Sequence, residues 1–222
     1  MTTIALSRIH FPVTTLGPGR RIGIWMQGCS IRCPGCISMD TWSADRGKTT
    51  VRAIMDAVQP WMAVADGVTV SGGEPFDQPD ALKALLSNLR HAGVGDIFVY
   101  SGHPFEEIAA TVATMDGLID ALMSDPFELE TAQTLALRGS DNQRLHLLTA
   151  AGREHFAVYE RTATGGDRRF DVGVNGDGSA WLAGIPDRGD FYRLRAMLEA
   201  AGHEIVTSDD RRIGRQNRAD PS

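Results

Sequence analysis

Three cysteines lie close together and are the only cysteines in the chain. Cys29, Cys33 and Cys36 form the run Cys29-Ser-Ile-Arg-Cys33-Pro-Gly-Cys36, a CxxxCxxC pattern. An odd set of neighbouring thiols cannot pair off into disulfides, but three thiolates can hold three irons of a [4Fe-4S] cube and leave the fourth iron open. The spacing therefore predicts an iron-sulfur cluster with one free coordination position.

A structural zinc site is the first alternative reading of these thiols. Zinc sites normally take four protein ligands from two separated pairs. The sequence has no second cysteine pair, and five of its histidines show no metal-ligand spacing: His91, His103, His146, His155 and His203. The cluster is favoured, and incidental thiols are the remaining alternative.

A second motif, Ser71-Gly-Gly-Glu-Pro75, combines two glycines with a carboxylate. Glycine exposes backbone amides without side-chain bulk, and a carboxylate can pair with an ammonium group. The segment could therefore receive a ligand that carries an amine, such as one chelating the open iron. An ordinary turn between a strand and a helix is the alternative.

Strand-like and helix-like patterns alternate around these motifs. Strands are predicted at Ile22–Met26, Val68–Val70, Asp96–Tyr100 and Ile119–Met123, and the apolar run Leu135–Leu137 is typical of another. Helices are predicted from an N-cap at Thr49 or Thr50 through Val58, over Leu82–Leu89 with an end at Gly93, and over Phe105–Met115.

Such alternation predicts an α/β fold with a parallel sheet, either open or closed into a partial (β/α) barrel. Ligands of these folds bind at the carboxyl ends of the strands. The cysteine run, Ser71–Pro75 and Tyr100–Gly102 each follow a predicted strand. We expect all three segments to meet on one rim of the sheet.

The pattern changes after about residue 149. Phe170–Val174 and Ser179–Ala183 predict a β-hairpin around the Gly-rich turn Asn175–Gly178, followed by a helix with Leu194, Met197, Leu198 and Ala201, and by a strand at Glu204–Thr207. We therefore divide the chain into a core (1–149), a small α+β extension (150–208) and a polar, disordered tail (209–222).

Composition narrows the possible partners and location. The 222 residues are 42% hydrophobic, which permits a substantial core. The net charge of −6 argues against a basic surface that binds nucleic acid. No apolar segment reaches signal-peptide or membrane-span length. We expect a cytoplasmic protein that binds neither nucleic acid nor a membrane.

The motifs together resemble the radical S-adenosylmethionine (SAM) superfamily. Several local segments are similar to the activating enzymes of anaerobic ribonucleoside-triphosphate reductases: Leu16–Gly19, Gly28-Cys29, Cys33–Cys36, Thr41-Trp42, Ser71–Pro75 and Arg138–Gln143. The resemblance covers residues 11 to 148. It implies a partial (β/α) barrel of the radical SAM type, here with the C-terminal α+β extension.

The resemblance also implies roles for individual residues. Cys29, Cys33 and Cys36 would hold the cube, while further residues would bind SAM: Gly72, Gly73, Glu74, Ser101, Arg138, Ser140 and Asn142. Reductive cleavage of SAM would give a 5'-deoxyadenosyl radical that abstracts a hydrogen from a glycine of a partner enzyme, with no catalytic side chain beyond the cluster and SAM. The electron would come from an external low-potential donor, a flavodoxin or ferredoxin.

Two departures from this branch stand out. Ile37 follows the third cysteine where this branch often has an aromatic residue, which is a small change near the cluster. The chain also continues well beyond the end of the minimal members, and that extension leaves the substrate open. One alternative is radical SAM modification of a peptide or small metabolite. The other, from a different class, is an iron-sulfur electron-transfer module without catalysis.

Overall fold

A seven-stranded mixed sheet forms the centre of the molecule. The computed structural model describes residues 1–167, 169–174, 176 and 179–203. The strands are β1 (Thr3–Val13), β2 (Arg21–Met26), β3 (Lys48–Thr50), β4 (Gly67–Gly72), β5 (Asp96–Tyr100), β6 (Ala121–Ser124) and β7 (Arg144–Leu147). Their order across the sheet is β3-β1-β2-β4-β5-β6-β7.

The four central strands run parallel, as the sequence predicts. β2, β4, β5 and β6 pair in parallel register, whereas β1, β3 and β7 pair antiparallel to their neighbours. The prediction of a wholly parallel sheet is therefore wrong at both edges. β1 is joined to β2, and β6 to β7, without a crossover helix, so each of these pairs is antiparallel. Because these strands are parallel, the segments that follow β2, β4 and β5 lie at the same edge of the sheet, where the strands have their carboxyl ends.

Three helices cover one face of the sheet. They are α1 (Val51–Val58), α2 (Pro79–His91) and α3 (Phe105–Ala113). Thr50 is the N-cap of α1, and its Oγ1 accepts a hydrogen bond of 3.1 Å from the Ala53 amide, as its residue type predicts. The apolar stripes of the helices pack on the side chains of β2, β4 and β5 to form the main core.

The opposite face is covered by segments that follow residue 149. Helix α4 (Ala150–Phe156) places the fully buried Phe156 against Phe98, Ala121 and Met123. Sequence periodicity did not reveal α4, which is only seven residues long. The division between core and extension at residue 149 stays a prediction, and α4 packs directly on the sheet.

The predicted hairpin is confirmed as β8 (Phe170–Val174) and β9 (Ala180–Gly184), followed by helix α5 (Asp190–Ala200). It packs on the same face as α4: Ala183 is buried beside Val13, Leu16 and Trp25. Most of the turn at Asn175–Gly178, the strand predicted at Glu204–Thr207 and the tail from residue 209 lie outside the described residues.

Leu135–Leu137 does not form the expected strand. Leu135 makes a single isolated bridge to Thr162, and Leu137 adopts a left-handed backbone with φ of 59° that ends any extended run. The antiparallel edge position is taken instead by β7. Within the described part of the chain, no helix has the length and apolar character needed to span a bilayer.

Candidate functional site

The cysteine loop begins directly after β2 and is fixed by backbone hydrogen bonds at its start. The Gly28 amide donates to the Thr41 carbonyl at 2.7 Å, and the Cys29 amide donates to the Trp42 carbonyl at 3.2 Å. A tight turn then joins the other two cysteines, since the Cys36 amide donates to the Cys33 carbonyl at 3.1 Å. The sequence 28–42 thus folds back on itself and holds the thiols in one loop.

The three thiols are free, partly buried and close enough to influence one another electrostatically. Burial raises the pKa of the Cys33 thiol, and a hydrogen bond from the Phe127 backbone opposes that shift. Burial likewise raises the pKa of Cys36, and that shift is opposed by the Ser38 amide, which donates to the Cys36 sulfur at 3.4 Å, and by the nearby Trp42 indole. Amide donors of this kind stabilise sulfur that carries negative charge.

The donor set fits an iron-sulfur cube. Thiolates are the usual cluster ligands, and the buried indole nitrogen of Trp42 has no hydrogen-bond partner of normal geometry within the described residues. A cluster held by Cys36 would bring sulfur acceptors to that donor. Among the same residues, no three His, Cys, Asp or Glu side chains are grouped to share one metal ion, and a cube does not require this because each thiolate binds a different iron.

The Gly-Gly-Glu turn after β4 is joined to the start of the cysteine loop. The Gly73 amide donates to the Met26 carbonyl and the Glu74 amide to the Gly28 carbonyl, both at 2.8 Å. The approach demands glycine: a Cβ at Gly73 would lie 2.0 Å from the Gly28 oxygen. Gly72 adopts a φ of 106°, where a side chain would be strained. The two motifs therefore share one junction.

The Glu74 carboxylate joins this turn to the end of β5. It accepts hydrogen bonds from the Phe76 amide (2.9 Å), the Ser101 hydroxyl (2.9 Å) and the Gly102 amide (2.8 Å). Burial raises the pKa of Glu74, and the three donors oppose that shift because they favour the charged form. The three segments predicted to meet at one rim are thus in contact.

The Arg138–Asn142 segment lies in a neighbouring loop and its side chains bind mainly to protein. Arg138 is buried, donating to the Gln143 carbonyl at 2.7 Å and to Glu160 at 2.9 and 3.0 Å. Ser140 accepts a hydrogen bond of 3.0 Å from the Glu128 amide. The role of both residues in cofactor binding stays a prediction.

Asn142 differs from these two residues. Its amide nitrogen donates to the Pro126 carbonyl at 2.8 Å, while its Oδ1 is buried and lacks a partner among the described residues. A buried acceptor without a donor is costly, and a hydrogen bond from a bound ligand would remove that cost. The cofactor-binding assignment of Asn142 likewise stays a prediction.

Sequence reasoning missed the contribution of Phe127 and Leu129. A Cβ at Gly35, between the second and third cysteines, would lie 3.1 Å from Leu129 Cδ1 and 3.4 Å from Phe127 Cε1. No motif or spacing marks these residues, which are about ninety positions further along the chain. Only the return of the chain after β6 brings them to the cysteine loop.

Comparison with known proteins relates this chain to an iron-sulfur family. Residues 15–146 match the family model described as a 4Fe-4S single cluster domain. The anaerobic ribonucleoside-triphosphate reductase-activating protein of Escherichia coli (strain K12) is 32% identical over 149 residues, which cover 63% of this chain and 96% of that protein. The pyruvate formate-lyase-activating enzyme of Listeria monocytogenes is 32% identical over 154 residues, covering 63% of this chain and 61% of that enzyme.

Among solved structures, QueE from Escherichia coli aligns with a TM-score of 0.40 and 19% identity, over 45% of this chain and 52% of that one. The family match spans the cysteine loop, the Gly-Gly-Glu turn and the loop up to β7. The chain therefore belongs to the 4Fe-4S single cluster domain family and, within the radical SAM superfamily, to the glycyl radical activating enzymes similar to those of anaerobic ribonucleotide reductase, with a [4Fe-4S] cluster and SAM as cofactors.

Proposed function

We propose that this enzyme abstracts a hydrogen atom from a glycine of a partner protein of the anaerobic ribonucleotide reductase type and leaves a glycyl radical there. The contact between the cysteine loop and the Gly-Gly-Glu turn is the observation that carries the proposal. It puts the predicted cluster ligands and the predicted SAM site on two segments bonded to each other through Gly28 and Glu74. An iron-sulfur module that only transfers electrons would not need a SAM-binding Gly-Gly-Glu turn beside its cluster.

The chain's own residues bind and orient the cofactors. When bound, the cluster and SAM supply reductive cleavage of the sulfonium–C5' bond, giving methionine and a 5'-deoxyadenosyl radical that removes the hydrogen. Cys29, Cys33 and Cys36 would hold the cube. Glu74 already accepts three hydrogen bonds, so its carboxylate fixes the shape of the SAM site, and the buried Oδ1 of Asn142 can accept a hydrogen bond from SAM.

The sheet has the features expected of a partial (β/α) barrel, and we include that architecture in the proposal. Four parallel strands carry helices on one face, while the other face holds a second set of buried side chains, including Phe98 and Met123. A barrel left open at one side could admit the glycine-bearing loop of a large partner. SAM would bind at its carboxyl rim.

The electron must enter from another protein under this proposal. All cysteines of the chain belong to one loop, so no cysteines are left to hold a second cluster that would relay electrons. A flavodoxin or ferredoxin is the donor class that we propose. The free thiols fit a reducing cytoplasm, which is the location we propose.

Anaerobic reconstitution tests the chemistry first. The protein is loaded with iron and sulfide, then given dithionite and SAM, and 5'-deoxyadenosine is measured. We expect a four-iron cluster and 5'-deoxyadenosine release, both abolished in Cys33→Ala. The matched control is Ile37→Ala, which changes an exposed side chain next to Cys36 and should retain both.

The glycine target is tested by adding the anaerobic ribonucleotide reductase of the same organism and recording electron paramagnetic resonance (EPR) spectra. A glycyl radical on the reductase is the expected result. Formation of 5'-deoxyadenosine only with a peptide or metabolite would overturn the target and support the alternative substrate class. Absence of SAM cleavage under strong reduction would overturn the enzymatic function itself.

A further inference from the structure

The loop of residues 127–133 is the structural neighbour of the cysteine loop that the sequence does not reveal. Phe127 and Leu129 pack at Gly35, within the distances given above. The Phe127 backbone amide also faces the Cys33 thiol closely enough to oppose the rise that burial causes in its pKa. Any movement of the 127–133 loop therefore changes the surroundings of a cluster ligand.

The core holds the 127–133 loop near its two ends. Ser140 Oγ accepts from the Glu128 amide at 3.0 Å, and Asn142 Nδ2 donates to the Pro126 carbonyl at 2.8 Å. Both contacts act at the beginning of the loop, and the Asp141 amide donates to the Ala132 carbonyl at 2.8 Å near its end. Residues 128–131, between these anchors, need further partners to stay against the cysteine loop.

The C-terminal extension supplies those partners through Arg188. Its Nη2 donates to the Thr131 carbonyl and, at 3.2 Å, to the Glu128 carbonyl. Its guanidinium also lies over the Phe127 ring, 6.0 Å from the centroid. Nearby, Gln133 Nε2 donates to the Pro186 carbonyl at 3.1 Å. Arg188 thus contacts three residues of one loop from outside the core.

The base that carries Arg188 is itself fixed to the sheet. Asp171 of β8 accepts hydrogen bonds of 2.7 Å from both the amide and the hydroxyl of Thr14. Trp181 of β9 stacks on His10 of β1 with ring centroids 4.0 Å apart. Since the hairpin is bound at these two places, a side chain that follows it can hold a loop in a defined position.

We propose that Arg188 is a positioning residue for the cluster: it clamps the 127–133 loop against the cysteine loop and so couples the C-terminal extension to the surroundings of Cys33. The proposal rests on the proposed function in taking Cys33 as a cluster ligand. Hydrogen bonds to cluster sulfurs raise the reduction potential, so loosening the clamp should make the potential more negative.

The test compares Arg188→Ala with the matched control Arg193→Ala in the full-length chain. Arg193 is also an exposed arginine of the extension, but it pairs with Asp190 instead of the loop. Hydrogen exchange is measured on the cluster-free protein, where Arg188→Ala should speed exchange of the hydrogen-bonded amides of this loop, Glu128 and Thr131, roughly tenfold, as expected for the loss of two hydrogen bonds. Arg193→Ala should leave exchange there unchanged.

An EPR-monitored redox titration of the reconstituted proteins is the second readout. Arg188→Ala should shift the midpoint to a more negative potential, and Arg188→Lys, which keeps the charge but lacks the planar guanidinium that lies over the Phe127 ring, should fall between it and the wild type. Faster exchange across β4 and β5 as well would mark a general stabilising role and overturn the proposal. An unchanged potential beside faster loop exchange would also overturn it.

The two proposals can fail separately. Hydrogen exchange on the cluster-free chain tests the clamp whether or not SAM is cleaved. A wild-type chain that holds a cluster but cleaves no SAM would overturn the proposed function and leave the arginine measurement intact. A normal loop exchange rate in Arg188→Ala would overturn the clamp while the activity assay stands.

Discussion

At the scale of single residues, Glu74 is the side chain whose contacts bind the site together. Three donors, from Phe76, Ser101 and Gly102, converge on one buried carboxylate. Each donor would be left without an acceptor if the carboxylate were removed, and an unsatisfied buried polar group costs about 1–3 kcal/mol. The carboxylate therefore maintains the shape of the rim before any cofactor binds.

Glu74→Gln should destabilise the protein although it preserves shape. The amide NH₂ of glutamine cannot accept, so at least one backbone donor loses its partner, and we expect a loss of about 1–3 kcal/mol in the free energy of unfolding. Denaturant titration of the cluster-free protein measures it. Ser101→Ala removes one hydroxyl donor and should cost about 1 kcal/mol. Equal stability of Glu74→Gln and wild type would contradict this role.

His10 links strand β1 to the extension and gives the docking a pH dependence. Burial, together with the charge of Arg8, lowers the pKa of His10 to about 4. The unfolded chain binds the proton near pH 6.5 and the folded chain only near pH 4, so protonation favours unfolding between these values. Stability should be complete above about pH 6.5 and decline as the pH falls toward 4.

The measurement is thermal unfolding between pH 7.5 and 4.5 for the wild type and His10→Phe. Phenylalanine keeps an aromatic ring to stack on Trp181 but cannot titrate. As the pH falls over this range, we expect the unfolding midpoint temperature to decrease more in the wild type than in the variant. Parallel pH profiles would show that His10 does not contribute.

The sequence predicted that the motif segments meet at one rim because each motif is recognised by residue type and spacing and follows a strand. The CxxxCxxC run, Gly72–Glu74 and Ser101 follow three parallel strands, and that order alone places them at one edge. Phe127, Leu129 and Arg188 could not be predicted, since ordinary residue types from remote parts of the chain converge there only through tertiary packing.

At the scale of elements, the junction between the cysteine loop and the Gly-Gly-Glu turn depends on backbone approach. The Gly28 carbonyl accepts from the Glu74 amide and faces Gly73 at a distance that excludes a side chain. Two loops from adjacent strands are thereby set in one geometry. The two loops are brought this close because β2 and β4, from which they start, are neighbouring strands of the sheet.

Gly73→Ala should separate these two loops. The added Cβ would lie 2.0 Å from the Gly28 oxygen, so backbone must move, and we expect little or no cluster after reconstitution. Iron and sulfide content per chain measures this. Gly165→Ala is the matched control, because a Cβ at Gly165 meets nothing within 4 Å. Normal cluster content in Gly73→Ala would show that the junction tolerates displacement.

Periodicity predicted the central strands and helices well, but it missed β7 at the edge of the sheet and α4 on its opposite face. α2, for example, shows a regular leucine stripe that is buried in the core. β7 is short and only partly buried, and α4 has seven residues, so neither offers enough repeats to establish a period. Both elements are stabilised by their tertiary position, β7 by pairing with β6 and α4 by packing on the sheet.

At the scale of the whole molecule, the chain consists of a part shared with its relatives and a part that is additional. The activating protein of Escherichia coli matches over 96% of its own length but only 63% of this chain. Part of the additional sequence is nevertheless structural. Phe156 is fully buried against Phe98, and Glu160 pairs with the buried Arg138. The boundary of the folding unit should therefore lie after these residues.

Two truncations distinguish the structural part from the additional part. A chain ending at Thr149 loses Phe156 from the core, a change of the size that costs about 3–5 kcal/mol, and should fail to hold a cluster. A chain ending at Asp167 keeps α4 and the pair Arg161–Asp167, so it should fold, bind iron and cleave SAM. Because it also lacks Arg188, its cluster should show the more negative potential of Arg188→Ala. Circular dichroism, iron content and the redox titration check these outcomes, and a stable cluster in the shorter chain would contradict the structural assignment of α4.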